Sequence, residues 1–448
     1  MPVILVTDVL VWLLVAAATG YAYYCRRHPH LAIPWGRVFR SSAALASAVV
    51  LSVYIALGLL DSLHFRPALP QKGEEQKAYS SEVLSVLDLA FAHLRGRGEK
   101  TYSAPLATRS YAKEQIELPD GRQKRDFPRL RFGGAHLADE GSWAADVSKR
   151  ALGGLGIALV LLVPVLLIVK VAGRKKPDVP WQAAFCAVAA LFFLAGPALA
   201  LSSGYHVLGT DKVGQDIFYL ALKSVRTSLV IGTLTTLVLL PVGIALGIAA
   251  GYFKGWVDDV IQYIYTTLNS IPGVLLIAAA VLMMQVYIDL HPDLFQTAVQ
   301  RADLRLLFLC IILGLTSWTG LARLLRGEAL KLSQLEYIQA AHAFGVRDTR
   351  ILARHILPNV SHIVIIAMVM DFSGLVLAEA VLSYVGVGVD PSTNSFGTMI
   401  NAARLEMSRE PVVWWALATA FTFMFALVLA ANLFADAIRD GFDPRVRM

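Results

Sequence analysis

Long apolar runs recur along this chain, and they constrain its fold more than any other feature. The chain has 448 residues, of which 56% are hydrophobic and 16% charged. A helix of about 20 apolar residues is long enough to cross the hydrocarbon core of a bilayer. Crossing helices are predicted at 3–24, 42–60, 151–171, 181–201, 228–252, 273–288, 304–325, 361–387 and 413–435. The sequence therefore predicts an all-α polytopic membrane protein.

Lys and Arg around the first runs set the predicted orientation. No basic residue precedes the first run, and several follow it: Arg26, Arg27, Arg37 and Arg40. Because basic residues collect in cytoplasmic loops, the N-terminus is predicted outside, and the absence of a basic start argues against a cleaved signal peptide. The third run is followed by Arg174 and two lysines, and this basic cluster on the predicted cytoplasmic side supports the same orientation. Residues 61–150 are then outside, and the C-terminus is cytosolic.

Net charge and cysteine usage indicate no further chemistry. A net charge of +7 fits basic loops beside anionic lipid headgroups and requires no nucleic acid. The three cysteines have no metal or redox spacing: Cys25, Cys186 and Cys310. The sequence contains no GxxxxGKS/T phosphate loop and no HExxH or GxSxG pattern. No catalytic or metal site is predicted.

One polar segment, residues 333–359, lies between the seventh and eighth runs and has the pattern of two short helices. Ser333 and Glu336 have the spacing of a capping box, and Gly345 can take the left-handed conformation that ends a helix. Apolar residues repeat on one face between them: Leu335, Ile338, Ala341 and Phe344. Helices this short are marginal in water, so the segment is predicted to need a partner surface.

The second helix of this segment is predicted to begin at Asp348, as its N-cap, and to end before Pro358. Arg350 and Arg354 lie one turn apart on it. Apolar residues complete the pattern: Ile351, Leu352 and Ile356.

The segment resembles the cytoplasmic EAA loop of importer-type ABC permeases, in the oligopeptide, dipeptide and nickel branch, at Tyr337, Ala340, Ala341, Gly345 and 357–359. The resemblance implies coupling helices that sit in a cleft of an ATP-binding subunit. Small residues such as Ala340 and Gly345 would let that partner approach the backbone. Gln339 stands where the family usually has glutamate. A solvated amphipathic loop is the alternative interpretation.

On this resemblance, the residues implied in coupling to the ATPase subunit are Glu336, Tyr337, Gln339, Ala340, Ala341, Gly345, Asp348, Arg350, Arg354 and Pro358. The implied partners are a second homologous permease subunit, two ATP-binding subunits, an extracytoplasmic substrate-binding protein and membrane lipid. No cofactor is expected on this chain, because ATP and Mg²⁺ would be bound by the partner subunits.

Further matches to the same family lie at 209–216, 226–229, 251–258, 379–388, 391–397 and 432–445. Three positions depart from the family pattern: Gln215 replaces arginine, Lys254 replaces glycine and Phe396 replaces tryptophan. The matches cover a little over half of the chain. Since the family usually has six spans, three spans are additional, and the run at 181–201 would correspond to the family's first helix.

The resulting division has four regions: two extra N-terminal transmembrane helices at 1–60, an extracytoplasmic segment at 61–150, transmembrane helices three and four at 151–201, and a permease core at 202–448 with its coupling loop at 326–359. Within the extracytoplasmic segment, an amphipathic helix is expected from Leu84, Leu87, Phe91 and Leu94, and a turn at 119–121. An interfacial helix with a polar face is expected around 258–263.

Three polar residues in the last two runs are candidates for a pathway-lining or buried polar role: Asp371, Glu379 and Asn432. A carboxylate in the bilayer costs about 2.5–3.5 kcal/mol on insertion scales, so Asp371 and Glu379 should face protein or water. For Glu379, a buried structural contact is an equally good interpretation.

The sequence thus predicts a permease subunit of an ATP-driven ABC importer in the bacterial inner membrane, for peptides or a similar small solute. It would be a transport subunit that couples partner ATPases to alternating access, and not an enzyme itself. One alternative is a secondary transporter driven by an ion gradient, with Asp371 and Glu379 as ion sites. Another is a membrane enzyme or receptor built on the outer segment.

Overall fold

Long helices dominate the part of the chain that the structure describes. The computed structural model describes residues 1–68, 79–117, 123–292 and 297–442. Within these residues, nine helical segments are long and apolar enough to cross a membrane, in agreement with the number predicted: Val6–Arg27, Ser42–Asp61, Glu140–Lys175, Trp181–Ser202, Ile217–Phe253, Gly273–Leu290, Ala298–Leu332, Asp348–Val385 and Trp415–Phe442.

The helices are α1 (Val6–Arg27), α2 (Pro29–Val38), α3 (Ser42–Asp61), α4 (Val86–Ala90), α5 (Ala92–Arg95), α6 (Trp143–Lys175), α7 (Trp181–Ser202), α8 (Ile217–Phe253), α9 (Gly255–Ser270), α10 (Gly273–Leu290), α11 (Ala298–Ser317), α12 (Thr319–Leu332), α13 (Glu336–Ala343), α14 (Asp348–Ile351), α15 (Leu357–Val385), α16 (Phe396–Glu406) and α17 (Trp415–Phe442). Short strands form two antiparallel sheets. One has the order β1 (Pro2–Val3), β2 (His64–Phe65), β3 (Leu84–Ser85), and the other is a hairpin of β4 (Glu114–Glu117) and β5 (Gln123–Asp126).

Internal contacts divide the chain into two compact units. The first unit consists of Met1–Ile4, Phe39–Ser228 and Thr393–Ala430. In this unit, α6 and α7 pack closely because each has a glycine where the two helices cross, Gly154 and Gly196. A Cβ added to Gly154 would lie 2.5 Å from the carbonyl oxygen of Gly196. The three-stranded sheet and the β4–β5 hairpin also belong to this unit.

The second unit consists of Leu5–Val38, Leu229–Ser392 and Ala431–Met448. One of its apolar clusters joins the α8 residues Val230 and Leu234 to Leu306 and Leu309 of α11. Another cluster joins α8 and α12 to the polar segment, through Leu325, Ile338 and other buried side chains. This second cluster positions the candidate site.

Several helices differ from their predicted extent. Helix α8 begins at Ile217, well before the predicted start of the span at residue 228. Asp216 explains the difference, because its Oδ1 accepts the backbone amides of Phe218 and Tyr219 at 2.9 and 3.2 Å, as an N-cap does. The amphipathic helix expected across 84–94 is wrong in form: Leu84 is in β3, and the remainder is split between α4 and α5 at Phe91.

A helix, α9, is present where an interfacial helix is expected around 258–263. Its predicted polar face is wrong in one position, and its location at the membrane interface stays a prediction. Asp258 is buried and binds Arg326, because α12 packs along that side of α9. The expected turn at 119–121 and the family match at 443–445 lie outside the described residues.

Candidate functional site

Helix α13 is the centre of the candidate site, and within the described chain it is anchored by a single buried side chain. Ile338 is 2% exposed and belongs to the apolar cluster of Leu325, Ile351 and Ile356. An eight-residue helix needs packing to persist, and here one side chain provides most of it. The rest of the helix surface therefore remains available.

The available surface is exposed and carries two large aromatic side chains among small and polar residues. Phe344, which directly follows α13, is 87% exposed. Its neighbours on this surface are also exposed: Glu336, Tyr337, Gln339, Ala340 and Gly345. Gly345 has a φ of +74°, which confirms the predicted left-handed stop, and an added Cβ would meet nothing within 4 Å. Such a surface leaves room for a partner at the backbone.

The predicted apolar stripe on this helix is wrong in two of its four positions. Ile338 is buried and Ala341 is half-buried, but Leu335 and Phe344 are exposed. Leu335 precedes the first residue of α13 and Phe344 lies at its end, where the chain turns through Gly345. Helical spacing no longer applies at these ends, so the two side chains leave the face that Ile338 defines.

Both predicted N-caps are wrong. Ser333 ends α12, where its hydroxyl donates to the carbonyl of Leu330 at 2.8 Å, so it forms no capping box with Glu336. Leu335 is the N-cap of α13, without a side-chain hydrogen bond. Asp348 is already the first residue of α14, and its Oδ1 accepts the hydroxyl of Tyr252 at 2.7 Å.

The predicted helix stop at Pro358 is also wrong. A π-helical turn, Leu352–Ile356, follows α14, and Pro358 then lies in the first turn of α15. A proline is tolerated there because the π-helical turn, in which the Leu357 amide donates to the Leu352 carbonyl, already departs from the α-helical bonding pattern directly before it. The segment from Asp348 to Val385 is therefore helical throughout, and the polar segment continues directly into a membrane span.

Polar contacts hold this segment against its surroundings in the second unit. Arg326 donates two hydrogen bonds to Asp258, at 2.6 and 2.7 Å, and this pairing lowers the pKa of Asp258 from its ordinary value. Asn359 donates to the Tyr337 hydroxyl at 3.1 Å and to the His355 carbonyl at 2.7 Å. These bonds join α12 to α9 and, separately, α15 to α13.

The remaining predicted coupling residues lie around α14 and at the start of α15. Arg350, Arg354 and Pro358 are exposed, whereas Asp348 is half-buried by its contact with Tyr252. The structure thus brings the coupling residues to one region of the second unit. Sequence reasoning missed the exposure of Phe344 and the pair of Arg326 with Asp258. The exposure of Phe344 could have been predicted, because a large aromatic residue directly before a helix-ending glycine lies beyond the regular helical face.

The three polar residues of the last spans have different environments. Glu379 is fully buried, and its Oε1 accepts the Ser383 hydroxyl at 2.7 Å, one turn away. Asp371 is half-buried, and Asn432 is exposed on α17. The geometry at Glu379 is that of a structural contact. The pathway roles of these residues stay predictions.

A second polar cluster lies in the first unit, in the loop before α8. The imidazole of His206 lies between two buried carboxylates, with its Nδ1 2.7 Å from Asp216 Oδ2 and its Nε2 3.4 Å from Glu99 Oε1. Burial lowers the pKa of His206, but the two carboxylates outweigh it and raise the pKa to about 9. We call these three residues the outer clamp.

Glu99 connects the outer clamp to residues 131–133, within the segment predicted to be extracytoplasmic. Its carboxylate accepts three successive backbone amides, those of Arg131, Phe132 and Gly133, at 2.8 to 3.0 Å. Burial raises the pKa of Glu99, but the His206 hydrogen bond and these amides lower it to about 2. The clamp is therefore satisfied internally.

These features define a class of protein: a polytopic helical membrane component with an exposed surface around α13, which the sequence predicts to be a coupling surface. Residues 243–448 match the family described as binding-protein-dependent transport system inner membrane component. The chain is 34% identical over 247 residues to the glutathione transport system permease protein GsiD of Pectobacterium atrosepticum, which covers 55% of this chain and 74% of the relative. The chain belongs to this family.

A second permease relative agrees with this assignment. The oligopeptide transport system permease protein OppC of Mycobacterium tuberculosis is 29% identical, over 54% of this chain and 77% of its own length. A chain of an inward-facing structure of the MetNI methionine ABC transporter has 16% identity and a TM-score of 0.39, over 51% of this chain and 98% of that chain. The predicted resemblance and fold class are confirmed, and the protein is a multi-pass inner-membrane transport component.

Proposed function

We propose that this chain is the permease subunit of an ATP-driven importer for short peptides or peptide-like solutes, and that the surface around α13 receives the force from the ATPase. The exposed pair Phe344 and Gly345 is the observation that carries the coupling proposal. The names of the relatives, which include glutathione and oligopeptide permeases, support the solute class. No comparison supports a transporter driven by an ion gradient.

The partners in this proposal supply what the chain lacks. Two ATP-binding subunits hold ATP and Mg²⁺, a homologous permease forms the other half of the pathway, and an extracytoplasmic protein delivers the solute. The N-terminus lies outside and the C-terminus in the cytosol, which puts α13 on the side where ATP is found. The chain itself acts as a transport subunit and hydrolyses nothing.

Coupling follows from the way α13 is connected within the second unit. Ile338 fixes α13 to the cluster that contains Ile351 and Ile356, and the chain from Asp348 continues as helix through α15. Movement of α13 is thus transmitted to a membrane span that contains Asp371 and Glu379. Such movement requires that the surface bind open and closed ATPase dimers with different free energies.

A crosslinking experiment tests the proposed docking. A cysteine at Phe344 should crosslink to an ATP-hydrolysing subunit in membranes, and Phe344→Ala should reduce transport-coupled ATPase activity about tenfold or more, as loss of a buried aromatic anchor does. Trp256, which is 77% exposed on α9, provides the matched control. Trp256→Ala should leave the coupled activity unchanged. Crosslinks that never reach an ATP hydrolase would refute the proposal.

A further inference from the structure

A recess of about 380 Å³ lies in the second unit. It is formed by the C-terminal end of α10, the N-terminal end of α11 and the loop after α15. Its polar walls carry both signs of charge: Gln285 and Asp289 from α10, Arg301 and Arg305 from α11, and Asp390 and Ser392 after α15. The volume is within the range of small-molecule sites. Neither the coupling surface nor the predicted polar residues of the spans contribute to it.

One arginine of the recess is structural. Arg305 donates to Asp390 at 3.2 Å and to Gln285 at 3.0 Å, and its side chain is 12% exposed. Asp390 also accepts the backbone amide and hydroxyl of Ser392, at 2.9 and 2.7 Å. These contacts join α10, α11 and the loop after α15. The floor of the recess is therefore preorganised.

The other two charges of the recess have no ion-pair partner among the described residues. Arg301 lies one turn before Arg305 on α11, and Asp289 lies one turn after Gln285 on α10. Both are exposed. Burial raises the pKa of Asp390, but Ser392 and the charges of Arg305 and Arg301 hold it below its ordinary value, so the Arg301 charge acts within the recess.

We propose that this recess binds a short peptide as a zwitterion, with the terminal carboxylate on Arg301 and the terminal ammonium on Asp289. A guanidinium recognises a carboxylate through two parallel hydrogen bonds, and a carboxylate accepts from an ammonium. Two unpaired charges of opposite sign above a fixed floor match both ends of such a ligand. A ligand with only one charged end would leave the other protein charge without a partner.

The assignment deepens the proposed function and rests on it, because a permease needs a place that receives the solute before the pathway opens. Both side chains are exposed, so binding requires little desolvation and is expected to be weak. Weak binding suits a transfer site, since a tightly held solute would not move on.

Equilibrium binding of dialanine and its two blocked derivatives tests the assignment. The full chain, in lipid nanodiscs with the subunits that copurify with it, is titrated with dialanine, N-acetyl-dialanine and dialanine amide. Because both side chains are exposed, the loss of one ion pair should weaken each blocked form about threefold to fivefold relative to dialanine. Arg301→Gln should remove the preference over the amide, and Asp289→Asn the preference over the acetyl form.

Arg131→Gln is the matched control, because Arg131 is an exposed arginine of the first unit, outside the recess. Both preferences should survive this change. Absence of dialanine binding, equal binding of all three compounds, or preferences that neither recess variant alters would overturn the assignment. ATPase activity of the copurified subunits is measured in parallel. If only the recess assignment is wrong, that ATPase activity remains intact. If the proposed permease function is wrong, the preparation contains no ATP hydrolase.

Discussion

The coupling surface around α13 and the outer clamp are both short polar segments between long helices, but they use their side chains in opposite ways. In the coupling surface, one apolar side chain is buried and an aromatic one, Phe344, is exposed. In the outer clamp, His206 and its two carboxylates are all buried, and their hydrogen bonds are made within the chain.

This difference separates a surface that we propose is bound by another protein from a cluster whose hydrogen bonds the chain completes alone. An exposed large aromatic beside a left-handed glycine has no stabilising role in the isolated chain. A buried ion cluster, by contrast, has a high desolvation cost and is maintained only if every member is paired. Substitutions in the first should therefore affect transport, and substitutions in the second should affect stability.

The largest expected effect is at the coupling surface. Gly345→Arg should abolish transport and leave membrane insertion intact, because the new side chain would occupy the space that the ATPase subunit approaches. Transport assays with reconstituted complex and membrane fractionation measure the two outcomes.

Gly345→Ala separates bulk from backbone strain at the same position. Any L residue at a φ of +74° costs about 1–2 kcal/mol, but alanine adds almost no bulk. The alanine variant should therefore retain much of the transport that the arginine variant loses. Equal loss in both would show that strain, and not occupied space, explains the effect.

The next effect is at the outer clamp. Glu99→Gln should destabilise the extracytoplasmic segment by about 3 kcal/mol, because it removes one charge from a buried cluster and weakens the bonds to the amides of 131–133. Hydrogen exchange of those amides measures the change.

Glu114→Gln is the matched control, since Glu114 pairs with the exposed Lys100 and such a surface pair contributes about 1 kcal/mol or less. Similar exchange in both variants would contradict the distinction between the two regions.

The smallest effect is the pH dependence of the clamp. The pKa of His206 is raised from 6.5 to about 9, so its contribution to stability is present below pH 6.5 and is lost as the pH rises through 9. The pKa of Glu99 is lowered from 4.5 to about 2, so its contribution is present above pH 4.5 and is lost as the pH falls toward 2. The protection of the 131–133 amides, measured relative to the intrinsic exchange rate at each pH, should therefore fall on both sides, and His206→Gln should remove the alkaline loss of protection. Exchange at the coupling surface should not follow this profile.

Much of the fold could be predicted because membrane helices are encoded locally. The number of spans needed only the length and composition of each apolar run, and the left-handed stop at Gly345 needed only glycine at a helix end. The caps could not be predicted in the same way. Ser333, Glu336 and Asp348 have suitable side chains for capping, but α12 extends to Leu332 and Tyr252 binds Asp348. A local motif does not reveal such competing contacts.

The sequence by itself determined that this chain crosses the membrane and which family it belongs to, and it predicted where a coupling loop lies, since hydropathy and short motifs are properties of neighbouring residues. Only the tertiary structure decided that Ile338 is buried while Phe344 is exposed, that Pro358 lies within a continuous helical segment, and that His206 lies between Glu99 and Asp216. The physical reason is that burial and ion pairing depend on residues far apart in the chain. Glu99 and His206, more than a hundred positions apart, meet only when the extracytoplasmic segment folds onto the loop before α8.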